Sequence, residues 1–154
     1  MKPDLVIGLG NPLMGDDGAG AAAAEVLAND RRLARHVDVI SADTDVLSCA
    51  TQMERRRRVL LIDAIEGEVP GLVSVLRESP PIEGQQHAHH FSAPAMLALL
   101  RQVTPTLRDT EFTWILVTVN SASVGTQLSP EVAAAIPKVV ARVRQELRHP
   151  SRGR

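Results

Sequence analysis

The chain has 154 residues, of which 44% are hydrophobic and 23% charged, and its formal net charge is −1. This composition is typical of one compact domain, and a net charge near zero does not favour binding to nucleic acid or to an anionic membrane. Cys49 is the single cysteine, which excludes a disulfide within the chain and a thiolate metal cluster. The sequence shows no secretory signal and no apolar run of ~18 residues, so we expect a cytoplasmic protein.

Short apolar runs alternate with helical patterns along the chain. We predict strands over 4–10, 36–42, 59–65, 72–78 and 111–119, and helices over 17–30, 45–56, 92–103 and 129–147. The run ERRRR, residues 54–58, predicts a solvated helix end, and Pro137 should kink or divide the last helix. This order predicts a three-layer α/β/α sandwich with a mostly parallel sheet, formed by residues 1–148 as one domain, and a disordered tail over 149–154.

Acids and histidines follow three of the predicted strands. Asp16 and Asp17 follow the first strand, Asp63 ends the third, and a histidine cluster lies in the loop after the fourth: His87, His89 and His90. Because ligands gather at the carboxyl ends of parallel strands, these groups could converge around one divalent metal such as nickel, zinc or manganese. Burying acids together is costly, and a bound cation removes that cost.

The stretch VIGLGNPLMGDDGAG, residues 6–20, has the glycine density of a phosphate-binding loop between a strand and a helix. A dinucleotide fingerprint would need a glycine where Leu13 stands, and a P-loop would need a lysine where Asp16 stands. A carboxylate at that place would repel a phosphate. The loop therefore favours a cation.

Each candidate residue also has an interpretation that involves no ligand. Asp16 or Asp17 could cap the following helix, where an acid is worth roughly 0.3–1 kcal/mol. Asp63 could be an ordinary turn acid, and the histidines could be solvated loop residues. The metal hypothesis depends on the three groups occurring together at strand ends.

Four motifs together resemble the nickel–iron hydrogenase maturation endopeptidases: GLGNPLMGDDGAG, LLIDAIEGEVPG, HHFSAPAML and the terminal G-x-x-LSPEV. The resemblance covers nearly the whole chain, in order. It implies a small cytoplasmic α/β protein with a five-stranded mixed sheet between helix layers. It also implies a processing protease that removes a C-terminal extension from the hydrogenase large-subunit precursor after nickel has been installed.

The same resemblance assigns roles to individual residues. Asp17, the second acid of the G-D-D-G motif, and Asp63 match metal ligands of the family. For the chemistry itself two alternatives stay open: the metal could polarise the peptide carbonyl or activate a water, or a freed carboxylate, Asp17 or Asp63, could act as general base. His89 matches the third ligand, with His90, His87 and Asp16 as alternatives. Nickel would be carried by the substrate, and zinc or another divalent ion could occupy the isolated site.

One turn departs from the family pattern. After the second strand the family usually carries an Asp-Gly-Gly-Thr-like turn, whereas this chain has SADT, residues 41–44. Asp43 and Thr44 could keep part of its role in substrate binding, and Asn11 could orient the loop or contact the substrate. The change concerns substrate choice rather than the metal site.

Two alternative functions remain open at this point. A non-catalytic maturation chaperone could sense nickel insertion without cutting. VIGLGNP also resembles the start of bacterial peptidyl-tRNA hydrolase, an esterase, but that family continues with a tyrosine and an early histidine. This chain has no tyrosine, and its first histidine is His36. We therefore expect the precursor protein as partner, no nucleic acid or membrane, and a monomer.

Overall fold

The computed structural model describes residues 1–43, 45–77, 93–120 and 125–150. Its strands are β1 (Asp4–Leu9), β2 (Val37–Ala42), β3 (Arg58–Glu66), β4 (Val73–Leu76) and β5 (Glu111–Val119). Its α-helices are α1 (Ala19–Ala28), α2 (Ala50–Met53), α3 (Ala93–Val103) and α4 (Pro130–Arg148). Short 3₁₀ turns occupy Gly15–Gly18, Leu33–Arg35, Val46–Cys49 and Pro105–Leu107.

The strands form one five-stranded sheet in the order β2-β1-β3-β5-β4. β1 is parallel to β2 and β3, and β3 is parallel to β5, whereas β4 pairs with β5 in the antiparallel direction. The four parallel strands therefore end at one edge of the sheet, called here the carboxyl edge. The opposite edge is called the amino edge. The predicted mixed, mostly parallel sheet is confirmed.

Helices cover both faces of this sheet, as the pattern predicted. On one face α1 and α4 pack against side chains such as Val6, Leu60 and Ile115. On the other face, α3 and the segment 46–53 pack against the alternate side chains, which include Ile7, Leu61 and Trp114. Residues 59–62 of β3 are almost completely buried, which agrees with a continuous apolar run between two helix layers.

Glycine lets α1 begin directly against the ends of two strands. A Cβ atom added to Gly20 would lie 2.2 Å from the carbonyl oxygen of Leu9 in β1 and 2.5 Å from that of Ile62 in β3. A Cβ atom on Gly8 would lie 2.2 Å from the carbonyl oxygen of Gly20. No larger residue fits this approach, so the glycines fix the start of α1 at the carboxyl edge.

The helix predicted over 45–56 is much shorter in the structure. Its first turn, Val46–Cys49, is 3₁₀ and is capped by Asp45, whose Oδ1 accepts a hydrogen bond of 3.0 Å from the N–H of Leu47. The α-helical part ends at Met53 because Glu54 is extended and Arg55 has a φ of 61°. The chain turns there to enter β3, and this turn prevents residues 54–56 from continuing the helix that their local sequence favours.

Pro137 does not divide α4, which runs without a break from Pro130 to Arg148. A proline inside a helix costs roughly 3 kcal/mol. The helix buries Val132, Ile136, Val139 and Val143 against the sheet. Each such side chain contributes about 1.5–3 kcal/mol on burial, so packing outweighs the loss at Pro137. Of the predicted tail, residues 151–154 lie outside the described part of the chain.

Of the four arginines at the entry to β3, Arg55 and Arg57 are exposed, whereas Arg56 and Arg58 are buried. Arg58 is buried, and its guanidinium contacts Asp4 at 2.6 Å and donates to the carbonyl oxygens of Glu146 at 2.9 Å and Leu147 at 3.1 Å. Arg56 is also buried and pairs with Asp38. The prediction of a solvated helix end is therefore wrong for these two residues: Arg58 joins Asp4 to the last turn of α4, and Arg56 joins Asp38 to the carbonyl oxygen of Lys2.

Candidate functional site

A glycine-rich loop follows β1 at the carboxyl edge and folds back on itself. Gly10 has a φ of +114°, and a Cβ atom there would lie 1.8 Å from the carbonyl oxygen of Asp17. Only glycine fits this position. The N–H of Gly10 donates a 2.9 Å hydrogen bond to the carbonyl oxygen of Asp43, which follows β2. The loop is thus held between the ends of two neighbouring strands.

The carboxylate of Asp17 is held by this loop. Its Oδ2 accepts a 2.7 Å hydrogen bond from the N–H of Asn11, and the side chain is half-buried. The cap positions of the 3₁₀ turn and of α1 are Met14 and Gly18, and neither has a side-chain cap bond. Asp17 therefore binds the loop before it and not the helix after it, which disfavours the helix-cap interpretation.

Asp63 lies within β3, which continues to Glu66 in register with β5, so the prediction that this acid ends the strand was wrong. Its Oδ1 accepts a 2.8 Å hydrogen bond from the N–H of Ala64. The pKa of Asp63 is raised to about 6: burial is the main cause, the hydrogen bond from Ala64 opposes it, and the negative charge of Asp17 adds to the rise. The two carboxylates are thus close enough to interact.

A site of this kind favours a cation. The carboxylates of Asp17, in the loop after β1, and Asp63, in the neighbouring parallel strand β3, repel each other, and burial of Asp63 adds to the cost of its charged form. A divalent ion between them would offset both effects and would find the oxygen donors that nickel, zinc and manganese accept. The positions of Asp17 and Asp63 thus agree with two of the three predicted metal ligands.

Asp16 lies beside Asp17 in the sequence but has a different place in the fold. It is 2% exposed, and its Oδ1 accepts a 2.6 Å hydrogen bond from the N–H of Ser129, the residue before α4. The acid whose charge acts on Asp63 is Asp17. The structure therefore brings Asp17 and Asp63 together, whereas Asp16 is hydrogen-bonded to the N-cap residue of α4. The sequence predicted a helix from residue 129 but not this hydrogen bond, because no local pattern joins residues that lie 113 positions apart.

The three residues predicted to bind substrate have different environments. The Oδ1 of Asn11 accepts a 2.9 Å hydrogen bond from the N–H of Leu13, which closes the turn. Asn11 therefore orients the loop. Asp43 is exposed next to this loop, and Thr44 lies outside the described residues. Their contact with substrate remains a prediction.

The third predicted ligand also lies outside the described residues, as do its alternatives: His87, His89 and His90. Within the described ranges, no group of three histidines, cysteines or acids is arranged to hold a metal ion. α3 starts at Ala93, contacts the turn after β2 and leads to β5, which begins at the amino edge. The first turn of α3 therefore lies toward the carboxyl edge, the same edge as Asp17 and Asp63.

No helix in the described part of the chain is long and apolar enough to cross a membrane.

Comparisons with known proteins agree on one family. The family model of hydrogenase maturation proteases (HycI) matches residues 22–146. Protein FrxA from Pyrococcus furiosus is 30% identical over 131 residues, which span 82% of this chain and 92% of that protein.

Solved structures of such proteases have the same fold. The [NiFe] hydrogenase maturation protease HybD from Thermococcus kodakarensis is 30% identical, with a TM-score of 0.74 over 97% of this chain and 100% of that one. A hydrogenase 2 maturation peptidase from a Thaumarchaeota archaeon is 28% identical, with a TM-score of 0.71 over 95% and 98% of the two chains. The maturating endopeptidase HybD from Escherichia coli, at 23% identity, shares the fold with a TM-score of 0.75 over 96% and 93%.

Proposed function

The chain belongs to the hydrogenase maturation protease family, and on that premise we propose that it removes the C-terminal extension of a nickel–iron hydrogenase large-subunit precursor after nickel insertion. The observation that carries this proposal is the pair of carboxylates formed by Asp17, in the loop after β1, and Asp63, in β3 one residue beyond its pairing with β1. The cytoplasmic location and the monomeric state expected from the sequence remain predictions.

Nickel enters this reaction as part of the substrate. Asp17 and Asp63 supply two oxygen ligands, and His89 supplies a nitrogen ligand to the ion already seated in the precursor. A precursor that lacks nickel offers nothing for the two carboxylates to bind. Nickel would thus act as a template that reports complete loading and holds the scissile peptide at the site.

Peptide hydrolysis also needs a base and a proton donor. A carboxylate that has released nickel, Asp17 or Asp63, would take a proton from a water molecule as the water oxygen attacks the scissile carbonyl carbon. The same group would return the proton to the leaving nitrogen as the C–N bond breaks. One water is consumed, and the products are a new carboxyl terminus and a new amine.

The first experiment mixes the purified protein with nickel-loaded and nickel-free precursor and measures the shortened large subunit. We expect shortening only of the loaded form. Equal shortening of both forms would rule out the template role. Stable binding of loaded precursor without any shortened product would instead identify a non-catalytic chaperone.

Two neighbouring acids provide a matched pair of variants. Asp17→Asn keeps an oxygen for the N–H of Asn11 but removes an anionic ligand, so we expect processing to be lost and the fold to remain. Asp16→Asn keeps an oxygen for the N–H of Ser129, so we expect most activity to remain. The reverse result would show that the two acids have been assigned the wrong roles.

The histidine assignment needs its own series. His89→Ala should abolish processing, whereas His87→Ala and His90→Ala should retain it. Loss of activity in one of the latter variants, together with an active His89→Ala, would move the third ligand to that residue. Circular dichroism of each variant checks that the fold is unchanged.

A further inference from the structure

A groove of about 500 Å³ opens beside the candidate site, between α1 and β2. One wall consists of residues 39–43, which form the second half of β2 and its exit. The other wall contains small side chains of α1, including Ala21 and Ala28. Gly10, Gly15 and Gly18 also line the groove, and these belong to the loop that carries Asp17. The groove is therefore continuous with the candidate site.

β2 is an outer strand of the sheet. It pairs with β1 on one side, and no described strand pairs with its other side. Alternate N–H and C=O groups of an outer strand point away from the sheet and can pair with another extended chain. Outer strands are commonly protected by lysine or proline, and residues 39–42 contain neither. The backbone along the groove is thus suited to pairing with a peptide.

We propose that this groove binds the precursor's C-terminal segment as an extended strand added to the outer edge of β2. This inference rests on the proposed function and says how the substrate reaches the site. Residues 39–43 extend about 16 Å, which matches roughly five residues of an extended peptide. The small side chains of α1 leave room for the side chains of such a peptide and favour small ones.

The charges that line the groove further restrict the class of peptide that it can bind. The ionisable side chains that line the groove are Glu25 and Asp43, both acidic and both exposed. The described loops at the carboxyl edge contain no lysine or arginine, whereas every described arginine lies toward the amino edge. The groove therefore fits a segment that combines small side chains with a basic residue, and it disfavours an acidic one.

A larger side chain in the groove, placed away from Asp17 and Asp63, tests the proposal. Ala28 is exposed in the last turn of α1, so Ala28→Leu should fold normally and narrow the groove. We expect the KM for nickel-loaded precursor to rise about tenfold and kcat to stay within about twofold. The control is Ala134→Leu, the same change at an exposed position of α4 outside the groove, which should leave both constants unchanged.

This assay separates the two hypotheses. If the wild-type protein does not shorten the precursor, the proposed function fails. If the wild-type protein does shorten it and Ala28→Leu has an unchanged KM, the function stands and the groove is not the binding site. A urea unfolding curve for Ala28→Leu identifies any loss of activity that comes from misfolding.

Hydrogen exchange tests the strand pairing directly. A synthetic peptide that spans the precursor's cleavage site is added to the protein, and amide exchange is followed by NMR. We expect slower exchange at alternate residues of Val39–Ala42, because only every second N–H of β2 faces outward. Unchanged exchange in β2 at saturating peptide would overturn the proposal, as would protection of β4 instead.

The charge preference has a separate readout. Glu25→Gln should weaken binding of the same peptide several-fold at low salt, and the difference should shrink as salt increases. Glu54→Gln, which lies toward the amino edge, should leave binding unchanged. Equal effects of the two substitutions would show that overall charge, and not the groove, attracts the peptide.

Discussion

Replacing Asp63 with asparagine should stabilise the folded protein at neutral pH while abolishing processing. The carboxyl group has an ordinary pKa of 3.8, and burial raises the pKa of Asp63 to about 6 in the folded protein. A difference of about 2 pKa units corresponds to about 3 kcal/mol that the charged form costs the folded state. Asparagine carries no charge and can still accept the hydrogen bond from Ala64.

The pH dependence has a definite sign. As the pH rises from 4 to 6, Asp63 loses its proton in the unfolded chain before it does so in the folded protein. The folded state therefore binds more protons in this range, and the free energy of unfolding falls as the pH rises. Above pH 6 Asp63 is charged in the folded protein as well, and the full free-energy cost of that charge is present. Asp63→Asn should remove this contribution, so the gain over wild type grows between pH 4 and 6 and then levels off.

Urea unfolding, followed by circular dichroism at pH 4 and pH 7.5 with a chelator present, measures the difference between the two proteins. We expect a gain of at most about 3 kcal/mol at pH 7.5 and almost none at pH 4. Glu66→Gln, at an exposed position in the same strand, should change stability by less than about 0.5 kcal/mol at both values. If Asp63→Asn is no more stable than wild type at pH 7.5, the carboxylate is not desolvated and the argument fails.

Three further substitutions test the supporting structure, each by urea or thermal unfolding. Asp38→Asn should lose about 1 kcal/mol at neutral pH, because hydrogen bonds from Arg56 and Lys2 lower the pKa of Asp38 to about 2 and solvent screens part of this interaction. That contribution is present above pH 4 and lost as the pH falls toward 2, so an equal loss at pH 2 would contradict it. Gly20→Ala should destabilise by about 1–3 kcal/mol and slow processing, since its Cβ atom would meet the ends of β1 and β3; a neutral effect would mean that α1 can shift. Asp16→Ala leaves the partly buried N–H of Ser129 without its acceptor and should cost about 1–2 kcal/mol, with a smaller loss in Asp16→Asn; equal losses would point to the charge instead.

The sequence by itself determined the order and type of most elements. The run 59–62 is continuously apolar, and the structure buries it between two helix layers as β3. The helix predicted from residue 129 begins in the structure with Ser129 at its N-cap and Pro130 in its first turn, where a proline has no N–H to leave unpaired. These signals are local, because each depends only on residues close together in the sequence. They can therefore be recognised without the tertiary structure.

The roles of individual charged residues were decided only by the tertiary structure. Asp16 and Asp17 are neighbours in one motif, but Asp16 binds the N–H of Ser129, 113 residues away, whereas Asp17 binds its own loop and acts on Asp63. Arg58 is buried because Asp4 and the end of α4 meet it from distant parts of the chain. Hydrophobic period and local propensity set the elements, but the free energy of a buried charge depends on partners that folding brings together from far apart in the sequence.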